Sequence, residues 1–268
     1  MERALYLDCS SGISGDMFVA AMLDLGANKE VLFKALNSIF IEGYEIKISR
    51  VHKSGLEASD FLVVLDEKNE NHDHNMEYLH GQENHPINKL VHMEYKRRSI
   101  EEIEGIIDRA DMTKSAKKLA IKIFDILSVA QAKAHGVLME QVHFYEVGTV
   151  DSIVDIVAAA VCFDELGISK TIIPSISDGT GTIRCRHGLL KIPVPAVRNI
   201  DEIYQLNLQI TTVEGELVTP TGAAIAAAIR TEKELPMRYS IIDIGLGAGK
   251  RKYQCSSILK AAIIKEIL

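Results

Sequence analysis

Residues 3–25, RALYLDCSSGISGDMFVAAMLDL, set the pattern from which the fold is predicted. Arg3–Leu7 reads as a short strand, and the turn-rich stretch at residues 8–16 follows it. Met17–Leu25 has the apolar pattern of a helix that stops at Gly26. A strand that runs through a turn into a helix, followed by more of both, indicates a mixed α/β (α+β) fold with short strands interleaved with helices.

The same mixture continues outward along the chain. Asn28 is predicted to cap the second helix, and Ser99 with Glu102 forms a capping box that opens another. A hairpin with a somewhat long connection is expected through His52–Gly55. The other predicted strands are Tyr44–Val51, Ala58–Leu65, Thr171–Ile173, Thr182–Arg184, Leu208–Thr212, Tyr239–Ile244 and Ile258–Ile267, and the other predicted helices are Lys114–His135, Val150–Leu166, Ala196–Tyr204 and Thr221–Ile229.

Composition excludes several classes of protein. The net charge of −7 argues against a partner held mainly through phosphates, such as duplex DNA. The longest apolar runs, Ile156–Phe163 and Ala223–Ile229, are too short to span a bilayer, and no secretory signal is visible at the start. The four cysteines form no CxxC pair, which favours a reducing cytoplasm. A homo-oligomer is compatible with the sequence.

A histidine-rich stretch interrupts the regular pattern at residues 67–88. It has almost no large aliphatic residues, so it is predicted to be a mobile loop. Imidazole is a good ligand for nickel, zinc and copper, and a loop of this kind suits metal capture better than a fixed structural zinc site. The alternative is a solvated polar linker. The histidines of this stretch and its flank are His72, His74, His80, His85 and His92.

The turn at residues 8–16 is the first candidate binding site. Gly12 and Gly15 permit a tight turn, and the helix that follows presents free N–H groups to a phosphate. Asp8 and Asp16 can hold a divalent ion beside it, with Ser14 between the glycines. A tight turn with no ligand is the alternative, and the Gly-Lys-Ser/Thr ending of a Walker A loop is absent.

A second candidate site lies at the start of the helix predicted from Val150. Asp151 and Asp155 are four residues apart, so their carboxylates share one helix face, where a cation would compensate their repulsion. His143 and Glu146 lie just upstream and can complete a mixed nitrogen and oxygen ligand set. The alternative is that Asp151 caps the helix while Asp155 faces solvent, although the neighbouring positions are apolar.

Three further segments are candidates for holding an anion. A helix N-terminus begins at Thr219, a glycine-rich segment precedes three basic residues, and a third turn carries arginine and histidine. Flexible turns with solvated side chains are the alternative. The candidate ligand-binding residues of these segments are Arg184, His187, Thr219, Thr221, Gly247, Gly249 and Lys250.

Taken together, these segments resemble one family, the nickel insertion proteins that complete the nickel-pincer nucleotide cofactor of lactate racemase (the LarC family). The resemblance covers nearly the whole chain, and the histidine-rich stretch also lies where the family tends to carry one. The motifs that carry it are LYLDCSSGISGDM (5–17), HFYEVGTVDSIVDIV (143–157), GTIRCRHGLLKIPVP (181–195), GELVTPTGAAI (215–225) and IGLGAGKRKY (244–253).

The resemblance implies an activity and its cofactors. Such proteins are nickel chelatases (cyclometallases, of the lyase class) that insert nickel into pyridinium-3,5-bisthiocarboxylic acid mononucleotide. They form carbon–nickel and nickel–sulfur bonds and depend on CTP with Mn or Mg. CTP binds to a C-terminal component, which residues 1–268 do not include, so the chain is expected to be the N-terminal domain. A metal-dependent phosphohydrolase and a non-catalytic nickel store or chaperone are the alternatives.

The expected site combines these candidates. The inner polar site is expected to contain Asp8, Asp16, His143, Glu146, Asp151 and Asp155, and one carboxylate or His143 would take the ring proton released on metallation. His72, His74, His80, His85 and His143 are expected to bind nickel. The substrate phosphate is expected on residues 12–15 or on residues 245–250.

Overall fold

The structure, a computed structural model, describes residues 3–67, 69, 75–80, 98–138, 149–185 and 188–267. Helices and strands alternate through these residues, which confirms the predicted mixed α/β class. In chain order they are β1 (Ala4–Asp8), α1 (Gly15–Asp24), α2 (Lys29–Ser38), β2 (Tyr44–Lys53), β3 (Leu56–Leu65), α3 (Met76–His80), α4 (Ile100–Arg109), α5 (Lys114–His135), α6 (Val150–Glu165), β4 (Lys170–Ile172), β5 (Ile176–Thr180), β6 (Thr182–Cys185), β7 (Gly188–Lys191), α7 (Pro195–Tyr204), β8 (Leu208–Glu214), α8 (Pro220–Ile229), β9 (Tyr239–Ala248) and β10 (Ile258–Glu266).

One mixed sheet organises the molecule, with the strand order β2-β3-β9-β10-β1-β4. The first strand is antiparallel to β10 and parallel to β4. The hairpin β2–β3 joins the rest through a single pair, Ser59 with Gly247. Strands β5 and β8 form a separate parallel pair, and β6 and β7 form an antiparallel one. Four connections contribute to the candidate site: the loop after β1, the turn between β2 and β3, the loop after β8 and the loop after β9.

The core forms where α1 and α6 pack together on one face of the sheet. Both helices are apolar on nearly all sides, and a helix of that kind is stable only when it is surrounded by other elements. In α1 every side chain from Met17 to Leu23 is buried, and in α6 the same holds from Ile156 to Cys162. Of the helices in the described ranges, none is long and apolar enough to cross a membrane.

The predicted helix ends are confirmed where local capping determines them. The Asn28 side chain accepts hydrogen bonds from the amides of Glu30 and Val31, and the capping box of Ser99 and Glu102 is complete. Helix α5 ends at Gly136, whose φ of 65° places it in the left-handed region that glycine favours. These signals depend only on residues close in the sequence, so they can be recognised without the fold.

Two local predictions need correction. The hairpin connection is short, because β2 and β3 run on to Lys53 and Leu56 and leave a two-residue turn of Ser54 and Gly55 with φ values of 51° and 80°. The mobile loop predicted for residues 67–88 does not hold for Met76–His80, which form a helix with a buried leucine. Most of the remaining histidine-rich residues lie outside the described part of the chain.

Candidate functional site

The loops of residues 8–16 and 215–222 pack backbone to backbone at the N-terminus of α1. The amide of Ile13 donates to the Leu217 carbonyl at 3.0 Å, and the Thr219 amide donates to the Ile13 carbonyl at 3.1 Å. A side chain at Gly12 would place its Cβ 2.0 Å from the Leu217 oxygen, and one at Gly222 would lie 2.1 Å from the Ile13 oxygen. The two glycines therefore serve first to let the loops of residues 8–16 and 215–222 approach each other.

Asp178 holds the second loop in place from inside the protein. Its Oδ1 accepts hydrogen bonds from the amides of Gly179, Leu217 and Val218, at 2.8, 2.9 and 3.1 Å. The residue is fully buried, and burial raises the pKa of its carboxyl group even though the amides act in the opposite direction. The sequence analysis missed Asp178, since its partners at 217 and 218 lie far along the chain.

The predicted acids of the two helices come together at the start of α1. Asp16 is buried there, and its Oδ1 accepts a hydrogen bond from the Ser14 hydroxyl. Within the described residues, its Oδ2 has no hydrogen-bond partner. The carboxylate of Asp155 lies against Gly15, where an added Cβ would be 2.6 Å from the Asp155 Oδ2. Glycine at 15 therefore allows an α6 carboxylate to reach the positive end of the α1 dipole.

Asp151 and Asp8 take positions at the edges of this cluster. Asp151 lies one turn before Asp155 on α6 and is partly buried. The N-cap position of that helix is held by Thr149, so the alternative in which Asp151 is the cap does not hold. The Asp8 Oδ1 accepts a hydrogen bond from the Ser10 amide at 3.1 Å, which closes the turn after β1.

The described acids do not by themselves make a metal site. In the part of the chain that the structure describes, no group of three or more His, Cys, Asp or Glu side chains is arranged to hold a metal ion. His143 and Glu146, the predicted ligands that precede α6, lie outside the described residues, as do His72, His74, His85, His92 and His187.

Cationic side chains border the acids on the side of the hairpin. Lys53 donates hydrogen bonds to the carbonyls of Gly249 and Arg251, the second at 3.0 Å. Burial lowers the pKa of Lys53, and the negative charge of Asp16 opposes that change. Lys250 is ion-paired with Asp60. Neither Lys53 nor Asp60 was singled out from the sequence, because their partners at 249–251 are about two hundred residues away.

The glycine-rich segment at 245–250 has a different local structure from the one predicted. Strand β9 continues through Gly245 and Gly247 to Ala248, so these glycines do not form a loop after the strand. An added Cβ at Gly247 would lie 1.9 Å from the Met17 carbonyl oxygen, and one at Gly249 would lie 3.0 Å from the Met17 sulfur. Gly247 is thus required by the close packing of α1 on the sheet.

His80 is the one member of the predicted nickel ligands that the structure describes. Its Nδ1 lies 3.2 Å from the Thr182 carbonyl oxygen and its Nε2 lies 3.2 Å from the Tyr253 hydroxyl. The rings of His80 and Tyr253 lie edge to face, with their centroids 5.7 Å apart. Burial lowers the pKa of His80, which favours the neutral imidazole that metal ions need. Binding nickel would require one ring nitrogen to exchange its present partner.

The remaining predicted ligand-binding residues are more scattered. Arg184 lies in β6 and is partly exposed. Thr219 is the N-cap of α8, as predicted, and its hydroxyl accepts the Gly222 amide at 3.1 Å, so this amide already has a partner. Thr221 lies in the first turn of the same helix and is partly exposed. The loop of residues 12–14 covers this helix start, which limits the room for an anion there.

The fold and the site define a mixed α/β protein in which buried Asp16 and partly buried Asp155 lie at one helix N-terminus, with Lys53 close enough for the charge of Asp16 to act on it. A family model described as nickel insertion protein matches residues 5–267, and the chain belongs to that family. No solved structure matches the chain.

Its relatives are named in the same terms. The chain is 50% identical over 267 residues to the pyridinium-3,5-bisthiocarboxylic acid mononucleotide nickel insertion protein of Alkaliphilus metalliredigens, covering 99% of this chain and 61% of the relative. Proteins of the same name from Clostridium kluyveri and Acetivibrio thermocellus are 36% and 35% identical, covering 96% and 93% of this chain and 61% and 57% of the relatives. The chain therefore spans about three-fifths of the length of these curated relatives.

Proposed function

We propose that this chain forms the N-terminal part of an insertase that places nickel in pyridinium-3,5-bisthiocarboxylic acid mononucleotide. Membership of the nickel insertion family supports the metal, and the names of the relatives support the substrate. The structural observation that carries the proposal is the buried carboxylate of Asp16. One of its oxygens has no hydrogen-bond partner within the described residues, and the α6 acid Asp155 lies against the preceding residue, Gly15.

A buried carboxylate oxygen without a partner is costly unless a cation or a donor occupies the site. Asp16 and Asp155 would supply hard oxygen ligands to nickel as it arrives, and Asp151 would add negative charge from the same helix. We further propose that His143 and Glu146, with Asp8 at the edge, complete the inner site. A cluster of this composition can also accept the ring proton that is released when the carbon–nickel bond forms.

Nickel must also be captured before insertion, and the insertion step would depend on CTP. His72, His74, His80 and His85 would capture nickel, because neutral imidazoles bind it reversibly. CTP with Mn or Mg would act through a C-terminal component of the same family, and the product would be the nickel-pincer cofactor of lactate racemase. Formation of the carbon–metal bond would place the enzyme among the lyases.

Asp16→Asn tests the proposal most directly. The chain is combined with the mononucleotide, nickel, CTP, Mn and the C-terminal component of a relative, and the nickel-containing product is followed by mass spectrometry. We expect wild-type product formation and a loss of about 100-fold or more in the variant, a typical effect of removing a group that transfers a proton. Asp108→Asn, at an exposed α4 carboxylate, is the matched control and should keep full activity.

The outcomes separate the competing functions. Full activity of the Asp16→Asn protein would remove this carboxylate from the mechanism. Release of phosphate from nucleotides by the wild type, without any nickel-containing product, would instead identify a metal-dependent phosphohydrolase. Nickel binding with neither reaction would identify a store. Circular dichroism and thermal unfolding of both variants establish that the comparison is made between folded proteins.

A further inference from the structure

The tip of the β2–β3 hairpin contacts the loop that follows β9. The two-residue turn of Ser54 and Gly55 brings the end of the hairpin to this loop, and the Ser54 hydroxyl donates to the Ser256 carbonyl at 3.4 Å. Lys53, the last residue of β2, consequently places its ammonium group on the carbonyls of Gly249 and Arg251. A strand end that is distant in sequence thus supplies a cation next to the acidic cluster.

Lys53 differs from the two cations beside it. Lys250 is ion-paired with Asp60, and Arg251 is ion-paired with Glu216. Lys53 has only carbonyl partners, and no carboxylate of the described residues lies within ion-pairing distance of it. The charges of Asp16 and Asp60 act on Lys53 from a distance, but neither acid is ion-paired with it, so an incoming anion can make the direct charge contact that its ammonium group lacks.

Two hydroxyl groups lie on the same loops. The Ser11 and Ser256 oxygens are 2.6 Å apart, so a hydrogen bond joins the loop of residues 8–16 to the loop after β9. Both serines are partly exposed, as is Lys53, and a ligand from solvent can therefore reach all three. An ammonium group with nearby hydroxyls is a suitable donor set for phosphate oxygens.

We infer that Lys53, together with the hydroxyls of Ser11 and Ser256, binds the phosphate monoester of a mononucleotide. The inference rests on the proposed function, which supplies the phosphorylated substrate. It replaces one alternative from the sequence, residues 245–250, since Gly247 is buried under α1 and Lys250 is already ion-paired. Because Lys53 is close enough to Asp16 for the two charges to interact, the ring of a nucleotide whose phosphate is held here can extend towards the acids.

Binding of the substrate with and without its phosphate tests this inference. The full chain and its Lys53→Gln variant are titrated by calorimetry with the pyridinium mononucleotide and with the corresponding dephosphorylated nucleoside. We expect the wild type to bind the nucleotide about tenfold or more tightly than the nucleoside, the scale of one charge-assisted contact. In Lys53→Gln the two affinities should become nearly equal, while Lys53→Arg should keep most of the preference.

Lys47→Gln is the matched control, because Lys47 is an exposed lysine on the same strand. It should keep the wild-type preference for the nucleotide. If Lys53→Gln also keeps that preference, the phosphate site is wrong while the insertase proposal stands. An equal loss of both affinities, with a lower melting temperature, would make Lys53 a structural tether and overturn the inference. If the wild type binds neither molecule, the proposed function fails together with the inference.

Discussion

Asp16 and Asp178 are both buried carboxylates, but their surroundings differ. Three backbone amides donate to one oxygen of Asp178, whereas Asp16 accepts from a single serine hydroxyl. Two of the three amides belong to the loop after β8, so their hydrogen bonds to Asp178 fix the position of that loop. Asp178 therefore has a structural role in arranging residues 215–218. Within the described residues each acid keeps one oxygen without a hydrogen-bond partner, but Asp16 has fewer donors on the other, so a bound cation would do more to compensate its charge.

The first prediction concerns the pH dependence of stability at Asp178. Burial raises the pKa of its carboxyl group in the folded state, so folding favours the protonated form. The stabilisation is complete below the unfolded carboxyl pKa of about 3.9 and is lost as the pH rises through the raised folded value. The free energy of unfolding of the wild type, minus that of Asp178→Asn, should therefore fall as the pH increases from about 4.

Each unit by which the folded pKa is raised lowers this difference by about 1.4 kcal/mol. Urea denaturation of both proteins over the acidic to neutral range measures it. Asparagine at 178 keeps an oxygen for the three amides, so the variant should fold. A difference that grows with pH would show that the amide hydrogen bonds outweigh burial, and the stated direction would then be wrong.

At the scale of elements, the glycines of β9 allow helix α1 to pack closely against the sheet. Added Cβ atoms at Gly245 and Gly247 would meet the α1 backbone at 2.4 and 1.9 Å. Glycine-rich segments bind anions in some proteins and allow close packing in others, and the local sequence is compatible with both. Which of the two roles applies depends on what packs against the glycines. In this fold it is the backbone of α1 at residues 17–21, so the glycines allow close packing.

Gly247→Ala tests this packing role. The new methyl group would overlap a helix carbonyl that cannot move without shifting α1, so we expect a loss of about 3 kcal/mol in the free energy of unfolding. Gly105→Ala in α4 is the matched control. The nearest atom to its new Cβ is the flexible Arg109 guanidinium at 3.3 Å, so its stability should rise by up to about 1 kcal/mol. Equal stabilities of the two variants in urea denaturation would contradict the role of Gly247.

Elements with local signals were predicted well, and elements that depend on distant partners were not. The helices with capping residues or a C-terminal glycine begin and end close to the predicted positions. The short strands β5 and β7 were missed. Strand β5 pairs with β8, about thirty residues later, and it is marked by neither an alternating pattern nor a clear apolar run. Its hydrogen bonds exist only once the chain has folded.

At the scale of the whole molecule, the proposal separates nickel capture from nickel insertion. Replacing His72, His74, His80, His85 and His92 with alanine should lower the nickel bound per chain, measured by metal analysis of the purified protein. Asp16→Asn should leave most of that nickel in place and abolish insertion, since the histidines remain. The double variant His52→Ala/His135→Ala, at exposed histidines outside the stretch, should bind as much nickel as the wild type. Unchanged nickel in the five-histidine variant would make the stretch a linker.

The sequence alone determined the mixed α/β class, most helix boundaries and the family to which the chain belongs. It also identified Asp16 and Asp155 as candidates, because glycine-rich turns and helical spacing are local signals. Only the tertiary structure decided that Gly15 lets Asp155 meet the start of α1, and that Lys53 lies on the loop after β9. These contacts join residues 140 or more positions apart, and packing of the helices on the sheet, rather than local conformational preference, brings them together.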